Sequence, residues 1–153
     1  MSFAIRDFQQ QDFEVLWLID QECFPPGIAY SKQELRLYIR QRGSFTLVAV
    51  DAKKSIIGFI VTHSGPIGHI ITIDVVASAR RDGVGSQLLL AAEARLRDAG
   101  SRAVGLETAV DNRPALMFYE RHGYKVTKTL PRYYSNGVDA LVLQKPLQVT
   151  PTV

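Results

Sequence analysis

The stretch Arg80-Arg81-Asp82-Gly83-Val84-Gly85-Ser86 separates a run of β-branched residues from an amphipathic pattern. Before it, residues 69–76 are typical of a buried strand. After it, apolar residues recur at helical spacing from Val84 to Ala99, and Gly100 is a natural helix end. Glycines at the start of a helix let backbone N–H groups approach an anion, and the helix dipole favours the same anion. The stretch therefore predicts a phosphate-binding turn, to which the two arginines add positive charge.

The spacing within this turn disfavours two common nucleotide sites, so a nucleotide-binding domain is the weaker alternative. A kinase-type phosphate loop requires Gly-Lys-Ser/Thr, which is missing here. A dinucleotide fingerprint requires a third glycine where this chain has Leu88, and it follows the first strand of its domain, whereas this turn lies past the midpoint. From the glycines alone, a tight strand-to-helix turn without a ligand is an equal alternative.

Length and composition indicate one globular domain. The chain has 153 residues, 46% of them hydrophobic and 22% charged, with a net charge of +3. We expect a single domain over residues 1–147 and a short tail over residues 148–153. The charge is too small to predict a nucleic-acid partner, and the sequence predicts no membrane span. Cys23 alone cannot form an internal disulfide, and the start lacks a signal peptide, so we expect a cytoplasmic protein. The histidines lack metal-ligand spacing, so we expect no metal.

The order of patterns predicts a mixed, mostly antiparallel α/β sheet with helices on both faces. Ser31 and Glu34 form a capping box for an early helix, and Asn112 or Asp111 caps a later helix that Gly123 ends. Asn136-Gly137 predicts a hairpin turn between the last two strands.

Two segments resemble the GNAT superfamily of acetyl-CoA-dependent N-acetyltransferases. Arg80-x-x-Gly83-x-Gly85 is similar to the family signature Arg/Gln-x-x-Gly-x-Gly/Ala. Asn112, followed by a helix ending in Tyr119-Glu120-x-x-Gly123-Tyr124, resembles the second and more specific segment. The residues Tyr133-Tyr134 and Asp139-Ala140 are similar to a late pattern of the N-terminal protein acetyltransferases, a group that includes the bacterial ribosomal-protein alanine acetyltransferases. The resemblance is strong from about His69 to Leu147.

This resemblance implies the GNAT fold and acetyl-CoA as the cofactor. The backbone from Ile73 to Val75 matches the segment that pairs with the pantetheine arm, and the Val75 N–H would polarise the thioester carbonyl. Asn112 matches a cofactor-contacting asparagine, although a helix cap is an equally good role for it. The implied cofactor-binding residues are Ile73, Asp74, Val75, Arg80, Arg81, Asp82, Gly83, Val84, Gly85, Ser86, Asn112 and Tyr119.

Glu107 is the main candidate for a general base. It lies late in a predicted strand, and its neighbours on the same face are the small residues Ala103, Gly105 and Ala109, which leave space beside the carboxylate. A solvated or salt-bridged carboxylate is the structural alternative. The resemblance implies a base that acts through water on an α-amino group, whose ordinary pKa is about 7.7–8.0.

Three further residues have open roles. Tyr119 is a core aromatic residue by its pattern, but the resemblance implies a proton donor to the leaving thiolate, or a hydrogen-bond donor that orients the sulfur. His69 is a second candidate base, alone or with Glu107, because an imidazole can accept a proton. A hydrogen-bonded strand histidine is the structural alternative. Asp74 is a salt-bridge partner, a second carboxylate near the amine, or a side chain that faces outward.

The resemblance also implies the walls of an acceptor site. The segment from Phe24 and Pro25 to Tyr30 occupies the place of one peptide-binding loop, and Tyr133 with Tyr134 matches the other. Ala109, in place of a frequent arginine, and Pro114 depart from the family pattern, so the acceptor stays open. A protein or peptide N-terminus is the leading acceptor and a small amine its rival, while a non-catalytic acyl-CoA-binding module is a separate hypothesis. The sequence does not indicate an oligomeric state.

Overall fold

A computed structural model describes residues 2–147 of the chain. Within them the protein forms a seven-stranded sheet and four α-helices. The strands are β1 Phe3–Asp7, β2 Ser44–Asp51, β3 Ile56–His63, β4 Ile67–Val75, β5 Ala103–Ala109, β6 Lys125–Leu130 and β7 Ala140–Pro146. The helices are α1 Phe13–Cys23, α2 Lys32–Arg40, α3 Val84–Asp98 and α4 Arg113–Arg121. The expected tail over residues 148–153 lies outside the described residues, as does Met1.

The sheet has the strand order β1-β2-β3-β4-β5-β7-β6. Neighbouring strands are antiparallel except β4 and β5, which are parallel. Helix α3 packs on one face with Leu88 and Leu96, and α1 and α2 pack on the other face with Leu16 and Leu35. The prediction of a mixed, mostly antiparallel sheet with helices on both faces is therefore confirmed.

The predicted helix ends also agree with the structure. The Ser31 hydroxyl accepts the Glu34 N–H at the start of α2, and the Asn112 side chain accepts the Ala115 N–H at the start of α4. The predicted hairpin turn differs, because β6 and β7 are joined by a longer loop over residues 131–139, and Asn136-Gly137 forms a turn inside that loop. No helix within residues 2–147 has the length and apolar character needed to cross a bilayer.

Strands β4 and β5 separate partway along their length. They pair only between Ile67–His69 and Ala103–Gly105. Beyond this point β4 continues along β3 as far as Val75, and β5 continues along β7 as far as Ala109. A cleft therefore opens between residues 70–75 of one strand and 106–109 of the other.

A β-bulge lies where the separation begins. Thr62 of β3 pairs with Ile70 of β4, whereas the preceding Val61 pairs with Thr72, so Ile71 is an additional residue on β4. A bulge bends its strand and increases its twist. We attribute the divergence of β4 from β5 to this additional residue.

Candidate active site

Glu107 and His69 meet at the point where the two strands separate. His69 Nε2 lies 2.9 Å from Glu107 Oε1 and 3.2 Å from Oε2. The side chains are 41% and 21% exposed for His69 and Glu107, respectively, so both reach the cleft while staying partly screened from water. The imidazole and the carboxylate thus form one unit that can hold a proton or a water molecule at the mouth of the cleft.

Three tyrosines surround this pair, and we call Tyr30, Tyr133 and Tyr134 the acceptor wall. The Tyr133 O–H points to Glu107 Oε1 at 3.5 Å, and the rings of Tyr133 and Tyr134 are in edge contact with centroids 5.0 Å apart. The Tyr30 O–H donates to the carbonyl of Ile71, the bulged residue, at 3.3 Å. Desolvation raises the pKa of all three phenols, which therefore stay protonated and act as hydrogen-bond donors.

The wall comes from two loops that contact each other. Residues 24–31, the Tyr30 loop, join α1 to α2, and residues 131–139 join β6 to β7. The Ser135 hydroxyl donates to the Gly27 carbonyl at 2.9 Å. Phe24 is half-buried at the end of α1, and Pro25 is exposed at the first turn of the Tyr30 loop. Of the residues expected in this loop, Tyr30 is the one that reaches β4 through a hydrogen bond.

Tyr119 lies deeper than the tyrosines of the wall. It is 7% exposed on α4, and its ring packs between those of Phe118 and Tyr124. Burial raises the pKa of its hydroxyl. A phenol of raised pKa is a poor proton source and a persistent hydrogen-bond donor. The core position that the pattern of Tyr119 predicts is therefore observed, and its role at the cofactor sulfur stays a prediction.

The turn before α3 forms an open anion cradle. Arg81 and Gly83 have left-handed φ values of 74° and 84°, and α3 begins at Val84 without a side-chain cap. Its first N–H groups have no carbonyl partner within the helix, and they lie at the positive end of the dipole. A Cβ atom placed on Gly83 would meet nothing within 4 Å, so the cradle faces open space. These features fit a pyrophosphate group.

The side chains around the cradle differ in direction. Arg80 folds back onto the end of β4, where its Nε donates to the Val75 carbonyl at 3.1 Å and its Nη2 donates to Cys23 Sγ at 3.6 Å. Arg81 and Asp82 are exposed beside the cradle. Sequence analysis expects Arg80 to add positive charge to the cradle. Because the chain reverses at Arg81, the Arg80 guanidinium is instead hydrogen-bonded to the end of β4.

Sequence analysis missed a contact between the two helices near the cradle. Ser86 Oγ lies 3.0 Å from His122 Nε2, and the imidazole packs against Phe118 with ring centroids 4.8 Å apart. Burial lowers the pKa of His122. The contact ties the start of α3 to the end of α4, and no spacing along the sequence indicates it.

The side chains of the residues expected on β4 alternate between the two faces of the sheet. Ile73 and Val75 are half-buried and pack toward the α3 face, whereas the Asp74 side chain is 1% exposed and faces α1. Of the three roles left open for Asp74, the outward-facing one is wrong, because the side chain is enclosed between the sheet and α1. Its neighbour there is Asp20 of α1, to which sequence analysis assigns no role. The signal was an acidic residue on an apolar helical stripe, four positions after Leu16.

Comparison with known proteins places this geometry in a family. The chain is 34% identical over 133 residues to N-alpha-acetyltransferase 30 of Schizosaccharomyces pombe, an alignment that covers 83% of this chain and 86% of that protein. The crystal structure of Ard1 from Thermoplasma volcanium superposes with a TM-score of 0.89 at 28% identity, covering 97% of this chain and 99% of the other. The crystal structure of a NatC complex bound to Gag peptide and CoA gives a TM-score of 0.83 at 29% identity, covering 97% and 100%.

The family assignment follows from a match to most of the chain. A model of the acetyltransferase (GNAT) family matches residues 5–124, which include the cradle, Glu107 and Tyr119. Together with the likeness to N-alpha-acetyltransferase 30, this match shows that the chain belongs to the acetyltransferase (GNAT) family and is an N-acetyltransferase that uses acetyl-CoA.

Proposed function

We propose that this protein transfers the acetyl group of acetyl-CoA to the α-amino group of a peptide or protein N-terminus. The observation that carries the proposal is the Glu107–His69 pair at the point where β4 and β5 separate, beneath an acceptor wall built from two touching loops. The names of the relatives support the α-amino acceptor, since the fission-yeast protein is an N-alpha-acetyltransferase and the NatC complex was solved with a peptide.

The base has a modest task in this reaction. An α-ammonium group has an ordinary pKa of about 7.7–8.0, so near neutral pH it needs a nearby acceptor for one proton. Glu107 takes this proton directly or through water, and His69 holds the carboxylate or the water in place. The acceptor wall gives the peptide backbone hydrogen-bond donors, because its phenols stay protonated.

The remaining expected residues would hold the cofactor. The N–H groups at the start of α3 would bind the pyrophosphate, with Arg81 and Asp82 at its margin, and the backbone of Ile73 to Val75 would lie along the pantetheine arm. When bound, acetyl-CoA supplies the thioester carbonyl that the amine attacks. The Tyr119 O–H would donate a hydrogen bond at the sulfur, and Asn112 would contact the cofactor while capping α4.

The domain and cellular setting complete the proposal. Residues 2–147 share one sheet with helices on both faces, which supports a single acetyltransferase domain. The free Cys23 supports a reducing compartment, and on that ground we propose a cytoplasmic location. Phe24 and Pro25 complete the loop that encloses the first residues of the acceptor.

Thiol release from acetyl-CoA in the presence of two acceptor pools tests the proposed function. We expect turnover with peptides that carry a free N-terminus and little turnover with small primary amines, because the acceptor wall has hydrogen-bond donors for a peptide backbone. N-terminally blocked peptides of the same sequence are the control. Turnover confined to small amines would keep the enzyme class and overturn the acceptor. Binding of acetyl-CoA without turnover of either pool would favour a non-catalytic module.

Replacing Tyr133 and Tyr134 with alanine tests the acceptor wall. We expect the KM for the peptide to rise by about tenfold, since the loss of one net hydrogen bond of about 1 kcal/mol and of ring contacts has that size. The KM for acetyl-CoA should stay the same, because the cradle before α3 lies on other elements. Steady-state kinetics with each substrate varied in turn measures both values. An unchanged KM for the peptide would count against the wall.

A further inference from the structure

A pair of acidic side chains is enclosed between α1 and β4, and we call Asp20 and Asp74 the acid pair. The two residues are 0% and 1% exposed, and each is close enough to affect the pKa of the other. The two elements that carry them contact each other, since Cys23 Sγ of α1 lies 3.5 Å from the Val75 carbonyl oxygen of β4. Asp20 Oδ1 and Asp74 Oδ2 have no donor among residues 2–147. The other two oxygens have one donor each: the Tyr30 N–H lies 2.8 Å from Asp20 Oδ2, and the Thr72 hydroxyl lies 2.5 Å from Asp74 Oδ1.

Two adjacent carboxyl groups in this position strongly disfavour the state in which both carry a charge. Each loses its hydration on burial, and two like charges in contact repel strongly in a medium of low dielectric constant. A hydrogen bond between two carboxyl oxygens also requires a proton, because ionised carboxylates only accept. One proton held between the two unpartnered oxygens would give both of them a hydrogen bond.

No cation among the described residues forms a salt bridge with the acid pair. Arg80 is the positive group that faces it, but the guanidinium donates to the Val75 carbonyl and to Cys23 Sγ. Burial and mutual repulsion raise the pKa of Asp74 well above its ordinary value, and burial raises the pKa of Asp20 as well. The titratable or charged groups that face the pair from the surrounding elements are Cys23, Tyr30, Glu34, Arg80 and Tyr119.

The acid pair is connected directly to the acceptor wall through Tyr30. Asp20 accepts the Tyr30 N–H, and Trp17 Nε1 and Gln21 Nε2 donate to the Tyr30 carbonyl at 3.1 and 2.7 Å. Helix α1 thus holds the backbone of Tyr30, while the bulge at Ile71 holds its hydroxyl. Asp74 belongs to the same strand as Ile71, so a bond between Asp20 and Asp74 fixes the helix and the strand relative to each other.

We propose that Asp20 and Asp74 share one proton, and that this shared proton fastens the Tyr30 loop to strand β4 and so positions the acceptor wall beside the acyl-transfer cleft. The acid pair consists of positioning residues, since the acceptor would be held by Tyr30 and not by the buried carboxyl groups. The role of Tyr30 in holding an acceptor rests on the proposed function, whereas the shared proton and its hold on Tyr30 do not.

A shared proton makes the loop sensitive to rising pH. The folded protein keeps a proton that an unfolded aspartate releases near its ordinary pKa of about 3.9. The raised pKa values therefore mean that stability falls as the pH rises from that range toward the folded-state value. Above that value both groups are ionised, the bond between α1 and β4 is lost, and Tyr30 is released from β4.

Asp74→Asn is the matched test, because an amide removes the need for the proton. The amide oxygen accepts from Thr72 as Oδ1 does now, and the amide N–H₂ takes the place of the unpartnered Oδ2 and donates to Asp20. Asp20→Asn makes the same pair from the other side, with its oxygen accepting the Tyr30 N–H, and it serves if the first variant does not fold. In each variant the bond persists at every pH, so the pH-dependent transition disappears.

The fluorescence of Trp17, the single tryptophan, reports the position of Tyr30 without any substrate. We expect a titration toward alkaline pH to show a transition in the unmodified protein that Asp74→Asn lacks. Cys23→Ser is the control, because burial raises the pKa of the Cys23 thiol to about 11 and its ionisation would otherwise explain the transition. This control should keep the transition, and identical titrations of the unmodified protein and Asp74→Asn would overturn the shared proton.

The KM for the peptide, measured over the same pH range, tests the positioning role. We expect it to rise about tenfold through the transition in the unmodified protein, to stay flat in Asp74→Asn, and to rise again in Cys23→Ser. The KM for acetyl-CoA should show no such split. A parallel rise in Asp74→Asn would overturn the positioning role. If no peptide is turned over, the proposed function fails, and the Trp17 titration still decides whether the acid pair holds the Tyr30 loop.

Discussion

Replacing Glu107 with glutamine should lower kcat for peptide acetylation by about 10²–10⁴-fold, the contribution of a positioned general base. The amide keeps the size of the side chain and an oxygen that accepts from His69, but it cannot take a proton from the acceptor ammonium group. The Kd for acetyl-CoA should not change, because Glu107 lies on β5 and the cradle precedes α3. Steady-state kinetics and calorimetric titration of acetyl-CoA measure the two quantities.

His69→Asn separates the two members of the pair. It keeps a donor toward Glu107 while removing the imidazole, so we expect a smaller loss of kcat than in Glu107→Gln. Equal losses would indicate that the imidazole carries the proton itself.

Full activity of Glu107→Gln at neutral pH would remove Glu107 as the base, and a weakened Kd for acetyl-CoA would indicate that the role of Glu107 is structural.

Gly83→Val should weaken acetyl-CoA binding by about 10²-fold. The backbone at Gly83 has a φ of 84°, a conformation in which a β-branched residue is strongly strained, and the new side chain would stand in the open space of the cradle. Loss of two hydrogen bonds to a charged group, at about 1.5 kcal/mol each, corresponds to that change in affinity. Calorimetric titration with acetyl-CoA measures the Kd.

Gly100→Val is the control for backbone strain. Gly100 has a φ of 92°, it also faces open space, and it ends α3 at the opposite end from the cradle. Both variants should lose similar thermal stability, and only Gly83→Val should lose affinity for acetyl-CoA. Equal affinities in the two variants would contradict the assignment of the cradle.

Local patterns were sufficient for most of the fold. The β-branched run before Arg80, the helical spacing after Gly83 and the caps at Ser31 and Asn112 each depend on residues close together in sequence. The site residues that could be named in advance have a local signal too. Glu107 has small neighbours, and the cradle has its glycines. The contact between Glu107 and His69 is an open hypothesis in the sequence, because it depends on the parallel pairing of β4 with β5.

Other features depend on contacts that sequence spacing does not encode. The bulge at Ile71 arises from the register between β3 and β4, and one additional residue leaves no compositional trace. Arg80 was expected at the cradle because of its charge, but the reversal at Arg81 turns it toward Val75. The acid pair joins residues far apart in the chain. Asp20 is visible in the sequence as an acidic residue on an apolar stripe, but its contact with Asp74 is not.

The separation of β4 from β5 leaves a seam within the sheet. Strands β1–β4 and β5–β7 are joined within the sheet by the three residue pairs next to Ile67–His69, and beyond them the inner edge of β4 has unpaired backbone groups among the described residues. Subglobal opening along this seam costs less than global unfolding, so amide hydrogens beside the cleft exchange before those of the paired core. A ligand that bridges the seam adds RT ln(1 + [L]/Kd) to the stability of the closed sheet. We therefore expect acetyl-CoA bound along this seam to slow amide exchange on both of its sides.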